Sequence, residues 1–271
     1  MPGMSPERFI SRRLARAVCM ACAGLLAIGA VLNIAGPARG ADPFDALKSD
    51  FRSSKIANDA PRVARYLAAE GGPGFVLDLT GAQPLMKFDR SEEILVLTAA
   101  PGPRNDTLYK LENGVTVLRR TGAGGLTLFT TARVGGVPAF RKAPSLALDI
   151  PPATRAMLSV VADASSLRVF LASGADIRFD YAAFAALDDA QGRAAAADAI
   201  RIASIALEEI AGESAGAAAL ARKIDAVEIR RAAEPSARVD AGALLISINS
   251  ELGPAGRPSS YAIRAQLEAA L

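Results

Sequence analysis

Between Phe75 and Thr130 the chain alternates short apolar, β-branched runs with turn residues. The runs are Phe75–Thr80, Pro84–Phe88, Ile94–Thr98, Thr107–Leu111, Val115–Arg120 and Leu126–Thr130. Strands of about five residues with polar ends suit a small twisted sheet, so this stretch predicts an antiparallel meander or half-barrel. The punctuation agrees. Gly81-Ala82-Gln83-Pro84 and Asp89-Arg90-Ser91 close the first runs, Ala100–Asp106 is a wider loop, and Asn113-Gly114 between two apolar runs is the strongest short hairpin signal. A lone hairpin is marginal in water, whereas six strands with one face covered by helices are stable.

The flanks read as helical. Phe44, Leu47, Phe51 and Ile56 recur at roughly helical spacing. Asp59-Ala60-Pro61 is a start signal for a second helix, placing Val63 and Leu67 inward, with Tyr66 as a further candidate, and ending at Gly71-Gly72-Pro73-Gly74. Val134–Lys142 is a mixed connector, and Pro144–Ile150 an extended piece. Pro151-Pro152 opens a helical pattern with Met157, Leu158 and Val161 on one face. Leu167–Leu171 fits helix or strand, since period alone does not assign a short apolar run, and Ile177-Arg178-Phe179 fits a short strand. Gln191–Gly212 is a clear helix: Ile200, Ala203, Leu207 and Ile210 form a core stripe, while Asp198, Arg201, Ser204 and Glu208 form a solvated face on which Asp198 and Arg201 pair. Ala226–Arg231 and Ala243–Asn249 are paired strands, Ser250–Pro258 is a loop, and Ser259–Leu271 is a closing helix capped by Ser259 or Ser260. The expected fold class is α+β: an antiparallel meander or half-barrel within residues 41–150, flanked by helices, and a helix-rich half within 151–271 that returns two strands and shares one core with the meander.

Composition narrows the chemistry. Hydrophobic residues make up 51% of the 271, ample for a core. The formal charge of +3 belongs to residues 1–40, which hold five arginines and one glutamate. Without them the chain stands one charge on the acidic side of neutral, which leaves no electrostatic footprint for nucleic acid. The only cysteines, Cys19 and Cys22, also lie there, so the remainder has no thiol, no disulfide and no cysteine zinc site. The chain has no histidine, the commonest general base and metal ligand near neutral pH. No cofactor is implied.

Residues 1–40 have the three parts of an export signal: a basic segment to Arg16, an apolar run over residues 17–35, and Ala38-Arg39-Gly40 before a cleavage point at Ala41. The expected location is periplasmic or secreted. The alternative is a retained run of residues 17–35 that anchors the chain in the inner membrane. Ser11-Arg12-Arg13-Leu14 raises the twin-arginine route, although Ala15 stands where that signal prefers an aromatic residue.

Several motifs fail on inspection. Gly212-Glu213-Ser214-Ala215-Gly216 has the spelling of a nucleophile elbow, but a helix precedes it and there is no histidine to act as base. The glycines instead end one helix and begin another. Thr121-Gly122-Ala123-Gly124-Gly125 lies between strands, which marks a hairpin loop rather than a phosphate cradle. Glu92-Glu93, Asp188-Asp189 and Glu208-Glu209 read as solvated surface, since a glycosidase pair must face across a cleft. Asp176–Asp180 is too apolar for a calcium loop. No catalytic or metal-ligating set emerges. The one candidate ligand site is Gly253–Ser260: Arg257 is a fork-shaped donor, and Ser259 and Ser260 would open a helix N-terminus able to hold an anion. Against it stands a turn in which Arg257 braces loop carbonyls or a carboxylate.

The stretches Ala60–Tyr66, Phe75-Val76-Leu77-Asp78 and Gly124–Thr130, with the Gly256–Ser260 loop, resemble an uncharacterised family of exported bacterial proteins, domain-of-unknown-function family 4908. The resemblance covers most of the mature chain. It implies export and supplies no catalytic residues. The expected function is a non-enzymatic binding or envelope-structural module whose partner is an envelope protein or a small anionic ligand. The competing class is a carboxylate-based hydrolase of cell-wall or surface glycans.

Overall fold

A computed structural model describes residues 62–185 and 189–271. The expected signal over residues 1–40, the helix around Phe44–Ile56 and the Asp59-Ala60-Pro61 start signal lie outside the described residues. Within them the first element is a strand. β1 (Val63–Ala68) buries Ala64 and Ala68 and turns Arg65 and Leu67 outward. Its apolar positions fit either period, and pairing on both sides decides for the strand, which corrects the expected helix.

The described residues build a nine-stranded antiparallel sheet in the order β4-β3-β2-β1-β9-β8-β7-β6-β5. The strands are β1, β2 (Gly74–Asp78), β3 (Leu85–Phe88), β4 (Leu95–Val96), β5 (Thr98–Pro101), β6 (Thr107–Lys110), β7 (Thr116–Arg120), β8 (Leu126–Thr130) and β9 (Arg133–Pro144). β4 and β5 are the two edges of the order, yet only Leu97 separates them along the chain. The sheet therefore curls into a nearly closed half-barrel. Inward side chains follow the strand alternation. Tyr109 opposes Leu118, Leu118 opposes Leu128, and Leu128 opposes Val137, all buried. Phe75 lies between Tyr66, stacked at 5.5 Å, and Phe88, edge-on at 6.2 Å. Gly114, at φ +82°, supplies the left-handed turn residue of the expected hairpin.

The expected connector at Val134–Lys142 is instead β9, the longest strand. Gly135, Gly136, Pro138 and Pro144 break its sequence pattern. The strand holds because β8 and β1 pair with it on opposite sides, with bulges in both ladders that absorb the irregular residues. Residues 145–154 then cross to the second layer. Their course is fixed by Asp78, which accepts from the Leu148 amide at 2.9 Å.

The second layer has five helices among the described residues: α1 (Arg155–Ser173), α2 (Ala182–Ala185), α3 (Ala190–Ala211), α4 (Gly216–Lys223) and α5 (Ser260–Ala270). They accompany a four-stranded sheet ordered β10-β11-β13-β12: β10 (Arg178–Asp180), β11 (Ala226–Arg231), β12 (Ser236–Asp240) and β13 (Ala243–Ile248). The expected pair β11 and β13 forms, and it is parallel. β12 went unread because its pattern is mostly polar. Thr154 caps α1, its side chain accepting from the Met157 amide. Asp189 caps α3 through the Gly192 amide, and that bond together with Arg231 holds its carboxyl below the ordinary range. Gly216 is fixed by contact: a Cβ there would lie 1.8 Å from the Ile210 carbonyl. Gly212 and Gly216 thus mark the junction of two helices.

α3 corrects a further expectation. Its stripe of Ile200, Ala203, Leu207 and Ile210 is buried, but so are Asp198 and Ser204 on the face read as solvated. The helix lies against α1, α5, the sheet and the barrel seam, and its many alanines permit that approach. The apolar interior falls into two clusters. One fills the barrel around Phe75, Leu118 and Leu128, and the other joins the helices to the second sheet around Ile200, Leu207, Val227 and Ile246. Between the two clusters, at the seam, Arg257 is hydrogen-bonded to both the Ile94 carbonyl and Asp198.

Candidate functional site

The seam is built around Arg257. The chain reaches it through a 3-10 segment, Ser250–Gly256, where the Asn249 amide donates to the Gly256 carbonyl at 2.7 Å. The Arg257 side chain is 2% exposed. Its Nε donates to Asp198 Oδ2 on α3 at 2.5 Å, its Nη2 to the Ile94 carbonyl at 3.1 Å and its Nη1 to the Pro258 carbonyl at 3.5 Å. Nη1 also lies 3.8 Å from Glu93 Oε1. The guanidinium thus holds the barrel, α3 and its own loop together, and it takes the bracing role weighed against anion binding.

Ser260, the first residue of α5, faces the same cluster. Its amide donates to Glu93 Oε1 at 2.9 Å and its hydroxyl to Oε2 at 2.5 Å. Ser259 is the N-cap, accepting from the Ala262 amide at 3.2 Å, while its own amide and hydroxyl donate to Glu112. Two barrel carboxylates therefore sit at the start of α5, where free amides and the helix dipole favour negative charge. Ser259 is half-buried, and Arg257 and Ser260 are buried. All three candidate residues meet at one place, and each already has partners within the chain.

Two expectations are corrected here. Glu93 is buried, not solvated: of the adjacent acids, Glu92 turns outward to Arg168 at 3.6 Å and Glu93 turns inward. Asp198 pairs with Arg257, 59 residues away, rather than with Arg201 on its own helix. Burial raises the Glu93 carboxyl above its ordinary value, and nearby Asp198 adds to the rise. Arg257 and the Ser260 hydrogen bonds oppose it without cancelling it.

Beside this cluster lies a cleft of about 460 Å³ between the barrel and the second layer. The barrel wall contributes Gln83, Glu112 and Asn113, and the facing wall Ser236, Tyr261 and Gln266. Leu95, Leu111 and Pro258 add apolar surface. Burial, then the carboxylates of Glu93 and Glu209, holds the Tyr261 phenol above its ordinary value, so it remains a neutral hydroxyl. Among the described residues no group of three or more acids, histidines or cysteines is placed to hold a metal ion. Glu112, Tyr261 and the cleft were not found from sequence. Glu112 reaches α5 across 147 residues, and no local pattern carries such a pairing.

No curated protein and no solved structure matches the chain. A family model described as Domain of unknown function (DUF4908) matches residues 45–267, which include the barrel, the seam and α5 as far as Leu267. The chain belongs to domain-of-unknown-function family 4908.

Proposed function

We propose that this chain is an exported, non-enzymatic binding module of the cell envelope, and that its ligand occupies the cleft between the barrel and α5. The cleft's chemistry carries the reading. Its lining offers amides, hydroxyls, one neutral phenol, a single carboxyl, Glu112, and at its base the Arg257 guanidinium, which Asp198 and the Ile94 carbonyl already engage. A glycosidase needs two carboxyls facing across open space. Glu112 is bonded to Ser259, and Glu93 is bonded to Ser260 behind the wall. With Arg257 engaged internally and Glu112 at the surface, the lining suits a neutral hydroxyl- and amide-bearing ligand better than an anion. N-acetylated amino sugars have that chemistry, and Tyr261 is the aromatic surface such rings stack on. Export rests on the basic, apolar and small-residue order of residues 1–40.

The test is a melting-temperature and NMR titration with N-acetylglucosamine oligomers, with phosphate in parallel. The oligomers are expected to raise the melting temperature and Tyr261→Ala to abolish the rise, with phosphate inert. Indifference to every oligomer would refute the site. Turnover of an oligomer that disappears in Glu112→Gln would install the hydrolase reading in its place. N-terminal sequencing of the exported form should begin at Ala41.

A further inference from the structure

Helix α1 carries two apolar stripes, and the fold uses one. Leu158, Ala162, Ser165 and Val169 face the core. On the opposite side Met157, Val160, Leu167 and Leu171 are 45%, 65%, 57% and 74% exposed, and Ala164 is exposed between them. The outward positions 157, 160, 164, 167 and 171 are separated by three, four, three and four residues. That alternation is the seam of a two-stranded coiled coil. Phe170, 49% exposed, borders the stripe at a g position and widens its apolar surface on one side.

By length and composition α1 is also the one helix among the described residues that passes for a membrane span. Its core-facing stripe is packed against α3, so the outward face remains the one to explain. Charges beside that face favour a protein partner. Taking 157, 164 and 171 as a positions, Asp163 falls at g and Arg168 at e. In a parallel pair each g residue meets the e residue five positions along the partner. Asp163 and Arg168 are five apart and opposite in charge. A lipid-facing helix would want basic residues on both flanks, and here Arg168 stands on one and Asp163 on the other. Arg168 also lies 3.0 Å from Glu208 and 3.6 Å from Glu92 of its own chain, so it is held at the rim of the stripe and a partner's Asp163 would share it with those carboxylates.

We propose that two copies of this chain associate in parallel along the outward stripe of α1, with Ala164 at the point of closest approach. A two-fold axis along the helices makes the surface self-complementary. The test uses the full chain with Cys19→Ser and Cys22→Ser. Sedimentation should show a concentration-dependent dimer, weakened about tenfold or more by Leu167→Glu, with the melting temperature nearly unchanged because Leu167 is exposed. If that variant unfolds, Val160→Lys replaces it. Met157→Cys and Ala164→Cys should each cross-link to its own counterpart on oxidation. A monomer at high protein concentration overturns the proposal. So does cross-linking through Ala164→Cys alone, which marks an antiparallel pair. Vesicle binding by a monomer that Leu167→Glu abolishes would assign the stripe to lipid and overturn it as well.

Discussion

Replacing Arg257 tests the central role of the seam. Arg257→Met keeps an unbranched apolar stem and removes the guanidinium with its charge. Asp198 and Glu93 then remain buried, 3% and 4% exposed, without their cation. Breaking a buried ion pair by deleting one partner costs about 3–5 kcal/mol. For a folded unit of this size each kcal/mol moves the melting temperature by about 2–4 °C, so the midpoint should fall by about 6–20 °C. The double variant Arg257→Met with Asp198→Leu removes both charges of the close pair. It should recover most of the loss, because Glu93 keeps its Ser260 hydrogen bonds and is the group whose carboxyl is already raised. Acidity supplies a second readout. A raised folded value means that the contribution of Glu93 is fully present below the unfolded carboxyl value and fades as pH rises through the folded one. Loss of Arg257 raises Glu93 further, so the deficit of Arg257→Met should be larger at pH 8 than at pH 5. Calorimetry of the four proteins of the cycle at both pH values measures all of this. A midpoint within about 3 °C of the parent, or a double variant that simply adds two losses, would refute the ionic account of the seam.

Three further outcomes follow from the geometry. Ser259→Ala removes the α5 cap and the bond to Glu112, and should cost about 1 kcal/mol, read by thermal melting. Asp78→Ala frees the Leu148 amide and the Thr80 side chain, with an expected loss of about 1–3 kcal/mol and faster proteolysis within 145–154. Burial alone would raise the Asp78 carboxyl, but bonds from Thr80 and Leu148 and the charge of Arg62 lower it overall, so its contribution is present above the unfolded carboxyl value and is lost on acidification. Gly216→Ala drives a Cβ into the Ile210 carbonyl and should destabilise by about 1–3 kcal/mol, whereas Gly212→Ala, with nothing nearer than 3.4 Å, should be milder.

What was legible in the sequence is what local pattern encodes. Five of the six apolar runs became single strands close to their expected ends, and Ile94–Thr98 became the turn through Leu97 from β4 into β5. Ser259 caps α5 because a serine before an apolar-periodic run has that local role. β9 was missed because Gly135, Gly136 and Pro138 argue against a strand until two neighbours pair with it. β1 was missed because Val63 and Leu67 are four apart, a spacing that also suits a helix. The site was legible only as a loop of suggestive residues. Arg257, Ser259 and Ser260 do converge, but the carboxylates that engage them, Glu93, Glu112 and Asp198, lie 59 to 167 residues away. Burial converted Glu93 and Asp198 from ordinary surface acids into structural ones, and burial depends on the whole fold.

The ends of the barrel fix how the cleft behaves. The chain enters at β1 and leaves at β9, neighbours in the sheet, with the Ser145 amide donating to the Val63 carbonyl at 3.4 Å. Asp78 secures that doorway, and the Arg257 and α5 contacts grip the barrel beside β4 and β5, far from β1 and β9 in the strand order. A drum clamped on two sides has no axle to rock on. On the proposed binding role, the opening between barrel and α5 would therefore work as a fixed mould rather than as a jaw.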